Sequence, residues 1–151
     1  MLEKRKLNVS GLRGVWGNTL TKKVIIKYCR AFVLFTKEDS EKPARNAFSI
    51  ADAGGENPTI LVGRDGRESG PEIKKIIIKE LENLKVNVID GDILPTPTVL
   101  FSVRNHKYDG GIIITASHNP IEYNGLKFVN KEAFFATDEE IEKINKYYEH
   151  S

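Results

Sequence analysis

The sequence predicts a three-layer α/β/α domain built on a mixed, mostly parallel sheet of about four strands. Short apolar runs alternate along the chain with segments of helical apolar spacing. Two of those runs, Thr59-Ile60-Leu61-Val62 and Gly111-Ile112-Ile113-Ile114, are unbroken β-branched or aliphatic stretches. Unbroken runs suit strands covered on both faces, and strand–helix alternation suits a sheet between helical layers. Size agrees. A chain of 151 residues, 40% hydrophobic and 29% charged, buries roughly 70% of the surface its unfolded form exposes, which suffices for a core without staples. One domain over residues 1–151 is expected.

The elements follow in order. From Thr21, the residues Val24, Ile25, Tyr28, Ala31, Phe32 and Phe35 recur at three- and four-residue steps, a helix with Thr21 as N-cap. Glu38 to Pro58 is polar, carries Pro43 and Gly54-Gly55, and has no period. It reads as a mobile surface insertion. The strand at Thr59–Val62 is followed by Ser69-Gly70-Pro71 and the stripe Ile73, Ile76, Ile77, Leu81 and Leu84. That is a second helix capped by Ser69 or Gly70, with Pro71 in its first turn. Val86 to Ile89 is a strand, Thr96 to His106 a short helix carrying Val99, Leu100 and Val103, and Gly111 to Ile114 a strand. Gly125-Leu126-Lys127-Phe128-Val129 alternates, the pattern of a more peripheral strand. Thr137-Asp138-Glu139-Glu140 opens a last helix to about Tyr148, its acids placed well for the helix dipole.

Composition excludes several classes of function. The lone Cys29 forms no internal disulfide, and three histidines do not build a Cys/His zinc site. No apolar run approaches the roughly 20 residues of a membrane span, and Met1 to Leu7 is charged without an apolar core. A cytoplasmic protein without membrane contact is expected. The net charge of +2 comes with no dense basic cluster, so nucleic acid is not expected as a partner.

The richest chemistry lies in Gly110-Gly111-Ile112-Ile113-Ile114-Thr115-Ala116-Ser117-His118-Asn119-Pro120. An apolar strand ends in a small-residue loop that presents the Ser117 hydroxyl at its C-terminal end, where open α/β sheets bind ligands. The plain alternative is that Ser117 only turns the chain and Asn119-Pro120 is a turn. No Gly-x-Ser-x-Gly elbow supports a hydrolytic serine. His118, its immediate neighbour, is expected to point away from Ser117 and is a poor base for it.

The segment Thr115-Ala116-Ser117-His118-Asn119-Pro120, followed by Glu122-Tyr123-Asn124-Gly125-Leu126-Lys127, resembles the phosphoserine loop of the α-D-phosphohexomutases. That family includes phosphoglucomutase, phosphomannomutase and phosphoglucosamine mutase. Three further segments resemble its motifs in the right order: Ser10-Gly11-Leu12-Arg13-Gly14, Val62 to Gly70 with Gly63-Arg64-Asp65-Gly66-Arg67, and Leu94-Pro95-Thr96-Pro97. The resemblance runs from about Ser10 to Val129 and is specific to the first of the family's four domains.

By resemblance, Ser117 carries a phosphoryl group and passes it to a hexose phosphate, so that a 1,6-bisphosphate forms and returns its other phosphoryl group. A glucose 1,6-bisphosphate-type activator is implied, and a magnesium ion that reaches Ser117 through its phosphate. Lys127 and Arg13 match family residues that orient the phosphoryl group and assist proton transfer. Taken alone they would read as a solvated strand lysine and a salt-bridged surface arginine. Thr115, His118 and Asn119 belong to the loop and shape it, with a phosphate contact open. Arg64, Asp65 and Arg67 follow a buried strand. Phosphate recognition is one reading of them; an ion-pair network holding the turn and the loop is preferred.

Asp90-Gly91-Asp92 begins like the family's magnesium loop but continues Ile93-Leu94-Pro95; a polar turn is expected there. The metal-binding, sugar-reading and second phosphate-binding loops belong to domains II–IV of the family, for which this chain has no counterpart. The resemblance therefore implies a phosphohexomutase domain I, inactive alone, with domains II–IV as partners and self-association of its exposed faces. A stand-alone sugar-phosphate binding module and a half-enzyme completed by a second chain are the alternatives. On the loop sequence the lean is to the phosphoglucomutase/phosphomannomutase branch.

Overall fold

The structure is a computed structural model that describes residues 6–40 and 57–151. Strand β1 (Leu12–Val15) leads into helix α1 (Lys22–Ser40), followed by β2 (Thr59–Arg64), α2 (Gly70–Asn83), β3 (Asn87–Ile93), α3 (Thr96–His106), β4 (Gly110–Ile114), β5 (Tyr123–Val129) and α4 (Asp138–Glu149). The five strands form one sheet in the order β1-β5-β4-β2-β3. The pairs β2–β3 and β2–β4 are parallel, while β4–β5 and β1–β5 are antiparallel. The C-terminal ends of β1 to β4 and the start of β5 therefore share one edge of the sheet.

Strand periodicity sorts the side chains into two layers. Ile60, Val62, Ile112, Ile114, Leu126 and Phe128 face α1, α2 and α4 in the larger core. Leu61, Ile113 and Val129 face Val99 and Val103 of α3 in a smaller one. Among the described residues the helices are thus divided three against one. Phe32 of α1 stacks on Phe128 with ring centroids 4.6 Å apart. The Thr21 hydroxyl accepts from the Val24 N–H at 3.4 Å, and Thr137 and Glu140 close a reciprocal capping box on α4. No helix among the described residues is long and apolar enough to cross a membrane.

The architecture is the expected one, with corrections. Among the described residues the sheet has five strands rather than about four, and its pairings divide evenly between parallel and antiparallel. The addition is β1, which docks on β5 through Leu12↔Leu126 to Val15↔Tyr123. With β1 outside it, β5 is an interior strand and not a peripheral one. Asp90-Gly91-Asp92 is no turn: it lies inside edge strand β3, where the register against β2 shifts between Val62 and Gly63 and Asp92 takes a φ of 51°. Ser69 precedes α2 but makes no side-chain cap; its hydroxyl accepts from Asn124 Nδ2 at 2.8 Å instead. Of the stretch Glu38 to Pro58, residues 38–40 complete α1, and residues 41–56 lie outside the described ones.

Candidate active site

The loop after β4 is built around Ser117. It leaves the sheet with the Thr115 N–H still donating to the Gly125 carbonyl of β5 at 3.0 Å. It then turns at Ser117, whose φ of 55° is left-handed, an uncommon conformation for a residue with a Cβ. Both backbone polar groups of Ser117 are held. Its N–H donates to Thr115 Oγ1 at 3.0 Å, and its carbonyl accepts from Arg67 Nη2 at 2.9 Å. The side chain itself is exposed.

Arg67 is the centre of the loop. It is buried, and its guanidinium gives four hydrogen bonds to four loop carbonyls: Nη1 to Pro120 at 2.7 Å and Tyr123 at 2.9 Å, Nη2 to Ser117 at 2.9 Å and Asn119 at 2.7 Å. Asp65 aligns it, with Oδ2 3.4 Å from Arg67 Nε and Oδ1 accepting the Arg67 N–H at 3.0 Å. Asp65 Oδ2 also accepts from the Thr115 hydroxyl at 2.7 Å. All peptide bonds in the described residues are trans. A carbonyl turned toward Arg67 therefore turns the next N–H outward, and at Ser117 that donor is the N–H of His118. The grip that orders the loop also gives it an outward-facing donor beside an exposed hydroxyl.

Two cations lie on the α3 side of the sheet, on the half formed by β5 and β1. Arg13 pairs in register with Gly125, and Lys127 with Ile113. Arg13 Nη1 donates to Asn119 Oδ1 at 3.0 Å, which ties β1 to the loop. Gly125 permits this closeness, because a Cβ there would run into the backbone carbonyls of Leu12 and Thr115. The Lys127 ammonium sits 4.8 Å from the centroid of Phe135. Partial burial, and then the neighbouring Arg13 charge, lower the Lys127 pKa below the ordinary lysine range. The neutral amine is thus reached at lower pH than for a solvated lysine. In an NMR titration of the side-chain amine, Lys127 should lose its proton below the ordinary lysine range, and Arg13→Met should move its midpoint back up. A midpoint unchanged by Arg13→Met would remove the arginine as a cause.

The structure thus brings Ser117, Thr115, Asn119, Arg13, Asp65 and Arg67 into one hydrogen-bonded group. It places Lys127 on the same face next to Arg13, without a hydrogen bond to Ser117. His118 departs from expectation: the left-handed turn brings its Nδ1 to 3.4 Å from Ser117 Oγ, so the ring does not point away. Arg64 lies further out. It donates to Asp92 Oδ1 at 2.9 Å and to the Asp65 carbonyl at 3.1 Å. Asp92 and Asp90 both bind Lys74. That pairing raises the Lys74 pKa, and hydrogen bonds from Lys74 and then Arg64 lower that of Asp92. Among the described residues no group of three His, Cys, Asp or Glu side chains could hold a metal. The one carboxylate of the hydrogen-bonded group, Asp65, is engaged by Arg67 and the Thr115 hydroxyl.

Two contributors carried no separate signal in the sequence. Asn124 is fully buried and braces the loop against Ser69; its place in the Glu122 to Lys127 motif carries no sign of that contact. Phe135, whose ring underlies the Lys127 ammonium, lies after β5 and outside every motif.

Comparison with known proteins settles the lineage. The profile of the phosphoglucomutase/phosphomannomutase alpha/beta/alpha domain I matches residues 4–151. The chain belongs to that family. It is similar to the phosphoglucosamine/phosphogalactosamine mutase of Sulfurisphaera tokodaii, 38% identical over 81% of this chain and 23% of the mutase. The phosphoglucosamine mutase of Clostridium novyi is 33% identical over 97% of the chain and 29% of the mutase. A solved phosphoglucomutase/phosphomannomutase family protein from Burkholderia thailandensis superposes with a TM-score of 0.74 at 29% identity, over 99% of this chain and 31% of that one. The chain therefore spans under a third of the length of these relatives.

Proposed function

We propose that the chain is the phosphoserine-bearing domain of a phosphohexomutase, which interconverts hexose 1-phosphate and hexose 6-phosphate through a bound 1,6-bisphosphate. The observation that carries this reading is Ser117 itself. It is an exposed hydroxyl on a left-handed turn at the strand-end edge, its loop tied by Arg67 and flanked by Arg13. Phosphoryl transfer asks for positioning and charge neutralisation more than for covalent chemistry.

In the first transfer, the bond between phosphorus and Ser117 Oγ breaks as a sugar hydroxyl oxygen forms its own bond to phosphorus. The hydroxyl proton leaves the sugar, and one proton returns to the Ser117 oxygen. The bisphosphate then presents its other phosphoryl group, and the reverse exchange restores phosphoserine. Arg13 and the outward His118 N–H supply positive potential at the loop. Lys127, with its proton loosened by burial and Arg13, is suited to receive and return the proton.

The hexose is proposed only as a class. Two relatives above are named for amino sugars and the third for glucose and mannose, so the lean to the latter branch is not maintained. The remaining parts of a working site, and any magnesium ligands, would come from the sequence that the relatives have beyond this length.

The test is chemical. The full-length enzyme is treated with a hexose 1,6-bisphosphate, digested and mapped by mass spectrometry. One phosphoryl group on the peptide containing Ser117 is expected. An unmodified Ser117 with phosphate on another residue overturns the assignment.

A further inference from the structure

We propose that the turn Asp65–Arg67 is the positioning device for the nucleophile, and that Asp65 acts on Ser117 through the Thr115 hydroxyl. This rests on the mutase reading and deepens it.

The case begins with the Thr115 hydroxyl, which has one proton and must serve two neighbours. The Ser117 N–H is a donor, so at 3.0 Å it needs a lone pair of Thr115 Oγ1. The hydroxyl proton must then point elsewhere, and at 2.7 Å it meets Asp65 Oδ2. An ionised carboxylate is acceptor-only, so Asp65 fixes the sense of the chain Ser117 N–H to Thr115 O–H to Asp65. The other carboxylate oxygen takes the Arg67 N–H at 3.0 Å, and the Arg67 side chain holds the Ser117 carbonyl at 2.9 Å. The two backbone polar groups of Ser117 thus answer to the same three-residue turn, one through Thr115 and one directly. A left-handed non-glycine residue persists where its surroundings over-determine it, and here they do. None of these groups touches the Ser117 hydroxyl, so they are positioning residues.

The prediction separates position from mere stability. In the full-length enzyme, Thr115→Val keeps the volume but removes the hydroxyl. It should lower kcat on the order of 10²-fold, the cost of a small misplacement of a reacting group, with KM for the sugar phosphate little changed. Thr115→Ser keeps the hydroxyl and should restore kcat. In the NMR spectrum of the 151-residue chain, the Ser117 amide should shift in Thr115→Val and return in Thr115→Ser. Asp65→Asn is the second arm, should Thr115→Val fail to fold. An amide offers one acceptor oxygen where the carboxylate offers two, so it too should lower kcat with KM retained. Wild-type kcat in Thr115→Val, or in Asp65→Asn where Thr115→Val does not fold, beside an inactive Ser117→Ala overturns the positioning role alone. An active Ser117→Ala overturns the mutase reading beneath it.

Discussion

Ser117→Ala in the full-length enzyme is expected to lower mutase turnover by on the order of 10⁴-fold or more, the scale on which removal of a covalent nucleophile acts. Protein stability should hardly move. The Ser117 side chain is exposed and its hydroxyl meets His118 Nδ1 at a long 3.4 Å, so the hydroxyl contributes little to folding. The contacts that fix the turn use the backbone N–H and carbonyl of residue 117, which alanine retains. Alanine also meets no greater penalty than serine at a φ of 55°. The melt should therefore stay within about 0.5 kcal/mol of wild type. The decisive measurement is turnover with saturating bisphosphate beside intact mass: the variant should neither turn over nor take up phosphate. Turnover comparable to wild type would exclude Ser117 as the phosphoryl carrier, whatever the family.

How much of this was legible in the sequence depends on what a pattern reports. The helix Thr96–His106 is legible to the residue, because prolines at its start and a polar end bound a clear apolar stripe. Strand β1 is not legible, for the opposite reason. Four residues that include Arg13 and Gly14 show no period, and their strand character comes from pairing with β5. The misplacement of β5 teaches more. Alternation along Gly125 to Val129 suggests a peripheral strand, whereas it records a half-uncovered face. Leu126 and Phe128 enter the larger core, while Lys127 faces the α3 side, where α3 packs over β2 and β4. A strand with one open face alternates wherever it lies in the sheet, and here the open face holds the candidate site.

The site divides in the same way. Ser117, Arg13 and Lys127 stood out because motif residues keep their order along the chain. A network of Arg64, Asp65 and Arg67 that holds the turn and the loop is the reading the sequence favours. The four carbonyls Arg67 grips are not legible there, since nothing in a sequence reports which way loop carbonyls point. Phe135 and the bracing Asn124 become meaningful only once β5 is flanked by β1 and the loop has been folded back.

Arg67→Ala should be the most damaging substitution for stability in the loop, at about 3 kcal/mol. Two contributions compete in that figure. The ion pair with Asp65 is the smaller one, because the carboxylate is 31% exposed at 3.4 Å, and pairs open to water contribute about 1 kcal/mol or less. The four carbonyls dominate. All of them lose a charged donor at once, and each that stays buried carries its desolvation cost. Ser117 and Pro120 are exposed, so their carbonyls can turn to water, which limits the loss and converts part of it into disorder of the loop. Arg67→Lys should recover little: three ammonium donors at one point cannot reproduce a planar fork that spans four acceptors. Urea melts of wild type, Arg67→Ala and Arg67→Lys measure the cost, and amide exchange locates it. Protection should fall at Asn119 and Tyr123, whose N–H groups bond within the loop, and persist in β2 and β4. An Arg67→Lys protein as stable and as protected as wild type would show that positive charge alone, without the fork, holds the loop.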